Sequence, residues 1–339
     1  MPRPDIADEP DAGPADELFG ITHLPTPLRV SWTLAPRLEA RHLDLARDLA
    51  ACGALIFSVL CAVGASPQLG GGTPQLDGTA PPRLDDGGPG VADLVRVLSS
   101  RRAHVLLAGA GSLAAAAAVA LKEAGLGAAS FLYPSPGAPA DAGAVPPQLS
   151  AGALSCREAG LDFSIVTPVS GATAPHLAAI HRHVSGLGAA VWALSPRGLG
   201  GPDLGAAYRR AIELCRPGGP RLMIQDPLAV PLTGEEYGPA WFGSCPAGRT
   251  MLHIESDGAV YPCPRLPVRC GNALADGVRA VWDGSDELAG LRRARAGEPC
   301  HSCGHFHQCL GGCRARVLEA GGRPDGIDPA CFLREGEPA

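Results

Sequence analysis

The cysteines of this chain are the residues whose type and spacing point most directly to chemistry. Eight of the twelve lie in its C-terminal part, at Cys245, Cys263, Cys270, Cys300, Cys303, Cys309, Cys313 and Cys331. Thiolates are favoured ligands of iron–sulfur clusters and of structural zinc, and a [4Fe–4S] cluster takes four of them. The array is therefore large enough for two such clusters. Cys300 and Cys303 also have the Cys-x2-Cys spacing of a tight two-ligand loop.

The composition of the chain indicates which classes of protein it can belong to. Of its 339 residues 46% are hydrophobic, which is enough for two or three domains with a substantial core. The net charge of −6, with no basic run longer than a pair, argues against nucleic-acid binding. The sequence has neither a long apolar stretch that predicts a membrane span nor a secretory signal. We predict a cytoplasmic protein, in which clustered cysteines are typical of metal sites rather than disulfides.

Short apolar segments alternate with segments of helical periodicity over the first two thirds of the chain. The strand-like segments are Leu28–Leu34, Ala54–Leu60, His104–Gly111, Ala128–Tyr133, Asp162–Val169, Ala189–Ser195 and Pro220–Asp226. The first helix is expected at Leu38–Gly53, with Gly53 as its stop. This alternation predicts an α/β protein with a parallel sheet and a partial (β/α) barrel. Ser66–Gly90 and Pro134–Pro147, rich in glycine and proline, are expected to be loops.

Seven of the cysteines follow a defined spacing. They read Cys245-x12-Gly258-x4-Cys263, then Cys300-x2-Cys303-x5-Cys309-x3-Cys313, then Cys331, and Asp257-Gly258 is a hairpin-turn signal. This pattern resembles the SPASM domain, the auxiliary-cluster module of radical SAM peptide and cofactor maturases. The resemblance implies a barrel of radical SAM type followed by a cysteine-rich SPASM domain. We accordingly expect a disordered tail at residues 1–22, the barrel at 23–235 and the SPASM domain at 236–339.

The resemblance also implies how the cysteines are divided between two [4Fe–4S] clusters. The second cluster would use Cys300, Cys303, Cys309 and Cys331, and the first would use Cys245, Cys263 and Cys313. The family supplies the fourth ligand of the first cluster from a position shortly before Cys245, where this chain has no cysteine. Cys270 is the substitute that we expect, and the rival interpretation is a three-ligand cluster with an open iron.

The hallmarks of radical SAM catalysis are missing from the first part of the predicted barrel. That family carries Cys-x3-Cys-x2-Cys after the first strand and Gly-Gly-Glu-Pro after the second. This chain has Leu38, His42 and Leu45 in the first of these stretches, and Gly64 and Ser66 in the second. The first stretch offers no thiolates for the cluster, and the second offers no carboxylate for the methionine amine. We therefore expect a degenerate member of the family that does not use S-adenosylmethionine.

Few other residues are candidates for a site. Trp192 and Arg197, at the end of the sixth predicted strand, lie where such a barrel places substrate contacts. Asp226 is a candidate acid or base, but a surface or capping role is the interpretation that we favour. His181 and His183 are two apart on a predicted helix, which makes a poor metal pair. The remaining cysteines are expected to be buried side chains: Cys52, Cys61, Cys156 and Cys215.

Three functions follow from these observations. The first is a pseudoenzyme with two auxiliary clusters. It would act as scaffold or electron relay for an active radical SAM enzyme, in a heterodimer, or dock a precursor peptide in RiPP or cofactor maturation. The second is an enzyme that binds substrate at the open iron of the first cluster. The third is a zinc-stabilised binding module.

Overall fold

The fold is built on one ten-stranded sheet. The structure, a computed structural model, describes residues 24–35, 37–61, 90–109, 113–134, 145–198, 200–215, 217–233, 245–294, 296–323 and 325–333. Seven parallel strands follow one another across the sheet: β1 (Arg29–Leu34), β2 (Ile56–Cys61), β3 (His104–Ala108), β4 (Ala128–Leu132), β5 (Asp162–Val169), β6 (Val191–Pro196) and β7 (Arg221–Ile224). Each of the seven predicted strands is present, and the α/β class with a parallel sheet is confirmed.

Helices connect these strands. They are α1 (Ala40–Cys52), α2 (Val91–Ser99), α3 (Ala115–Glu123), α4 (Pro147–Glu158), α5 (Leu177–Leu187) and α6 (Gly201–Leu214), with short 3-10 turns at Ala174–His176 and Pro227–Ala229. In α1 the buried residues include His42, Leu45 and Leu49, spaced three and four apart so that they share one face. Gly53 ends this helix at φ 88°, a left-handed conformation that glycine adopts at little cost, as predicted.

Three further strands continue the same sheet on the other side of β1. They are β8 (Met251–Ile254), β9 (Ala259–Tyr261) and β10 (Gly271–Asn272). β8 pairs in parallel with β1, with Ser31 opposite His253, and β9 and β10 follow as antiparallel neighbours. The order across the sheet is therefore β10-β9-β8-β1 and then β2 to β7, with β7 and β10 at the edges. The C-terminal part of the chain thus shares its sheet with the barrel strands.

Short helices lie at the end of the barrel and in the C-terminal part. They are α7 (Val230–Thr233), α8 (Ala273–Asp276), α9 (Val278–Gly284), α10 (Asp286–Arg293), α11 (Phe306–Cys309) and α12 (Arg314–Glu319). One hydrophobic core joins both parts, because Val30 and Trp32 of β1 belong to the same buried cluster as Ile254 of β8 and Trp282 of α9. The indole N–H of Trp282 donates to the carbonyl of Leu24 at 3.0 Å, which adds a polar tie between them.

Some expectations lie outside the described residues. These are the tail at 1–22, Gly64 and Ser66, and most of the two expected loops. Among the helices that the structure does describe, none combines the length and the apolar character that a membrane crossing requires.

Candidate metal centre

Four cysteines surround one cavity between the C-terminal part and the end of the barrel. Cys300, Cys303, Cys309 and Cys331 line it, and its volume is about 270 Å³. A turn in which the Cys303 N–H donates to the Cys300 carbonyl at 3.0 Å brings the first two together. The space is far larger than the roughly 10–15 Å³ that a single water needs. Four thiols around a space of this size fit a [4Fe–4S] cluster.

The thiol of Cys309 is affected by this setting. Its pKa is raised to about 11, chiefly by burial and to a smaller extent by Cys331, Cys300 and Cys303, while a hydrogen bond from Gly311 opposes the rise. Cluster ligands are thiolates, so the protein alone disfavours the form that binds metal. The positive charge of the metal is what would stabilise four thiolates here.

Three other cysteines form the first group, named after the first expected cluster, and the four cysteines around the cavity are the second group. Cys245, Cys263 and Cys313 pack together around a small apolar cluster of Ala247, Leu266 and Ala315. Burial raises the pKa of Cys263 to about 12, with Cys245 as the next cause and Cys313 as a further one. Burial also raises the pKa of Cys313 to about 11, again with Cys245 as the next cause. The cysteines expected to hold the first cluster are therefore within electrostatic reach of one another.

The hairpin β8–β9 brings Cys263 back towards Cys245. Its turn contains Asp257, whose carboxylate accepts the Ala259 N–H at 2.9 Å, and Gly258 at φ 86°. A side chain at Gly258 would meet Asn272 and Leu274 at less than 3 Å, so only glycine fits this turn. The expected hairpin turn at Asp257-Gly258 is present.

Cys270 is not part of either group. Its N–H donates to the carbonyl of Val260 at 2.8 Å, and its thiol donates to the carbonyl of Val268 at 3.3 Å. Burial raises the pKa of Cys270 to about 12, and the other groups that act on it are Ser285, Glu287 and Arg292 rather than any cysteine. Cys270 thus lies outside the residues named for the two groups, and its role as the fourth ligand stays a prediction. Burial and cysteine type alone could not distinguish a core thiol from a ligand.

The segment between β1 and α1 is short. Only residues 35–39 join the two elements, and none of them is a cysteine. Leu38, His42 and Leu45 are all buried, and the Nδ1 atom of His42 accepts the Glu39 N–H at 2.8 Å. Leu38 and Leu45 therefore have the role of packing residues in the protein core, and His42 has that of a helix-capping residue.

Two sequence candidates near the barrel strands have structural roles. Trp192 is fully buried, and its indole N–H donates to Thr167 at 3.0 Å while its ring lies 5.1 Å from that of His181. It is therefore not placed for substrate contact. Asp226 is buried in an ion pair with Arg316, with two N···O distances of 2.8 Å. Its partner Arg316 was not among the residues that the sequence pointed to.

In the described part of the chain, no three His, Cys, Asp or Glu side chains lie close enough together to hold a single metal ion. The two cysteine groups are instead associations of thiols around a cavity and around a small apolar cluster. When [4Fe–4S] clusters are bound, they would supply one-electron redox chemistry.

Comparisons with known proteins concern mainly the C-terminal part. Residues 245–304 match the SPASM family, described as an iron–sulfur cluster-binding domain. Mycofactocin maturase MftC of Mycobacterium tuberculosis is 37% identical over 110 residues, which cover 31% of this chain and 28% of MftC. AdoMet-dependent heme synthase of Oleidesulfovibrio alaskensis is 28% identical over 203 residues, 52% of each protein. The chain thus matches about half or less of the length of these relatives.

The fold also has solved counterparts. SuiB of Streptococcus suis, bound to precursor peptide SuiA, has a TM-score of 0.66, with 13% identity, 98% of this chain covered and 84% of that chain. At this identity the likeness concerns the fold. Residues 245–304 are thus similar to a SPASM iron–sulfur cluster-binding domain, and parts of the chain are similar to the maturase and the synthase named above.

Proposed function

We propose that this chain is an iron–sulfur SPASM protein that serves the maturation of a ribosomal peptide without cleaving S-adenosylmethionine itself. The proposal rests on one contrast: the segment after β1 lacks cysteine ligands, whereas the C-terminal part is rich in them. Residues 35–39, between β1 and α1, are too few for the Cys-x3-Cys-x2-Cys motif and include no cysteine. The C-terminal part, by contrast, gathers seven cysteines into two groups.

The substrate class is a peptide, by analogy with relatives. SuiB has been solved with precursor peptide SuiA, and MftC is a mycofactocin maturase. Since this chain would lack its own radical chemistry, we propose that it pairs with an active radical SAM enzyme as a heterodimer, as scaffold or electron relay. The residues that would hold the two [4Fe–4S] clusters are Cys245, Cys263 and Cys313 for the first, and Cys300, Cys303, Cys309 and Cys331 for the second.

Anaerobic purification tests the proposal. We expect brown protein with about eight irons and a similar amount of sulfide per chain. Incubation with S-adenosylmethionine and dithionite should give no 5′-deoxyadenosine. Co-expression with an active radical SAM maturase should yield a complex on size exclusion, and peptide modification should require both chains.

The opposite results would select other functions. Formation of 5′-deoxyadenosine by this chain alone would show a catalytic radical SAM enzyme. Zinc without iron would support the zinc-stabilised binding module. A solitary monomer with no effect on any co-expressed maturase would exclude the accessory role.

The position of Cys270 favours a second candidate function. Because Cys270 lies apart from Cys245, Cys263 and Cys313, the first cluster would have three cysteine ligands from the described residues. An iron without a fourth thiolate can bind a substrate heteroatom as a Lewis acid. Cyanide added to the reduced protein should then alter the electron paramagnetic resonance signal of the first cluster alone. An unchanged signal would mean that the fourth position is closed.

A further inference from the structure

A buried cluster of charges lies between the two cysteine groups. Arg316 of α12 faces two carboxylates, those of Asp226 and Asp328. Its Nη1 and Nη2 atoms lie 2.8 Å from the oxygens of Asp226, and its Nε and Nη2 atoms lie 2.9 and 2.6 Å from those of Asp328. Both aspartate side chains are 0% exposed and that of Arg316 is 9% exposed.

Asp328 contacts both cysteine groups. Its carboxylate accepts the backbone N–H of Cys313, a member of the first group, at 2.7 Å. Its backbone carbonyl accepts the N–H of Cys331, a member of the second group, at 3.0 Å. Asp328 also lines the cavity that the four cysteines of the second group surround.

The charge cluster is anchored to the barrel. Asp226 follows β7, and its carboxylate accepts the O–H of Tyr208 from α6 at 2.7 Å and the N–H of Leu228 at 3.1 Å. Leu228 in turn lines the cavity of the second group. The position of Arg316 is therefore fixed by groups from α6, from the end of β7 and from the C-terminal segment.

The charges of this cluster act in buried surroundings. Burial alone would lower the pKa of Arg316, but hydrogen bonds and charge interactions with Asp226 and Asp328 raise it above its ordinary value. The arginine therefore keeps its positive charge between two carboxylates. Charges removed from water act on their neighbours more strongly than charges at the surface, because screening is weaker there.

We propose that Asp328 and Arg316 are positioning residues that set the reduction potentials of both iron–sulfur clusters together. The inference rests on the two clusters of the proposed function. It assigns to Asp328 and Arg316 the joint control of both potentials, which the cysteines of one group do not exert on the other. Adding an electron to a cluster makes it more negative. A neighbouring carboxylate therefore opposes reduction and a guanidinium favours it.

Two substitutions of opposite sign test this proposal. In the holoprotein, Asp328→Asn should shift the potentials of both clusters upwards, because it removes a negative charge. Arg316→Gln should shift both downwards, and Arg316→Lys should return them towards the wild-type values. The potentials are read by anaerobic redox titration followed by electron paramagnetic resonance.

The matched controls are Arg323→Gln and Asp325→Asn. These two residues form an exposed ion pair in the same C-terminal segment, and neither should move a potential. A purely structural role would make every variant of Asp328 and Arg316 lose iron while the retained clusters keep their potentials. That result, or a shift confined to one cluster, would overturn the proposal. If wild-type protein binds no iron, the proposed function fails first, which iron analysis of the wild type distinguishes.

Discussion

Cys263 and Cys270 are both buried thiols, yet their neighbours differ. After burial, the pKa of Cys263 is influenced by Cys245 and Cys313. The pKa of Cys270 is influenced instead by Ser285, Glu287 and Arg292. We expect Cys263→Ala to remove the first cluster and about half of the iron, since a cluster contains four irons. Cys270→Ala should keep the full iron content and cost only about 1 kcal/mol of stability.

Iron and sulfide analysis of the two variants, purified side by side without oxygen, decides the matter. Thermal unfolding measures the small stability cost of Cys270→Ala. Loss of about four irons from Cys270→Ala would restore Cys270 as the fourth ligand of the first cluster.

Gly312 lies against Asp328, the residue that contacts both cysteine groups. It adopts φ 82°, and a Cβ atom there would clash with the carboxylate of Asp328. Gly312→Ala should therefore destabilise the protein by about 1–2 kcal/mol for the left-handed conformation, with a further cost from the clash. Because Asp328 contacts both groups, iron should fall at both sites.

Gly304→Ala is the matched control for Gly312→Ala. A Cβ atom at Gly304 meets nothing within 4 Å, so the alanine should be tolerated. Chemical denaturation gives the stabilities, and the two cluster signals in electron paramagnetic resonance give the loading. Iron loss limited to one site in Gly312→Ala would argue against Asp328 as a shared contact.

Helix α5 packs a histidine against strand β6. Burial lowers the pKa of His181, whose ring lies against Trp192. The folded protein thus binds a proton at His181 less readily than the unfolded chain, which binds it below the ordinary pKa of about 6.5. The stability that this residue contributes is present above that pH and is lost as the pH falls towards the lowered pKa. Acid should therefore destabilise the α5–β6 packing.

His181→Phe should reduce this sensitivity to acid. Between pH 7 and pH 5 the melting temperature of the variant should fall less than that of the wild type, as followed by circular dichroism. His176→Gln, at an exposed residue just before α5, is the control and should change nothing. An identical pH dependence in His181→Phe and wild type would contradict the assignment to His181. His183 acts in the same direction in both proteins, since burial lowers its pKa too.

The secondary structure was largely predictable because apolar runs and helical periodicity are local signals. The strands of the barrel and the stop at Gly53 follow from residues close in sequence. The placement of Cys270 was not predictable, because Ser285, which caps α10, and Arg292 of that helix come later in the chain, and only packing brings them to Cys270. The same holds for Arg316 with Asp226, which are joined across 90 residues. A sequence signal for Asp328 does exist in the turn-forming Asp-Pro pair before Cys331.

The barrel and the C-terminal part share one sheet and one hydrophobic core. β8 completes the pairing of β1, and Ser31 of β1 lies 2.9 Å from the ring nitrogen of His253. Trp282 belongs to the same hydrophobic core as Val30 of β1. Arg316 forms an ion pair with Asp226, which follows β7 in the chain. Loss of structure at the clusters should therefore spread to the barrel instead of remaining in the C-terminal part.

Removal of iron should accordingly destabilise the whole chain in one step. Ligands that bind only the folded state stabilise it by mass action, so chelated protein should melt at a lower temperature than holoprotein. The far-ultraviolet signal, which reports the barrel helices, should be lost together with the visible absorbance of the clusters when the holoprotein is heated. The comparison uses the full chain, anaerobically, with and without chelator.

The cysteine substitution Cys331→Ala provides a second route to the same test, because it impairs one site without a chelator. Its melting temperature should lie between those of holoprotein and chelated protein, with a single transition in every probe. Coupled unfolding is expected since the sheet order places β8 between β9 and β1, so that neither half has a free edge at their junction. Two separate transitions, with the barrel signal unaffected by iron, would show that the halves unfold independently despite their shared sheet.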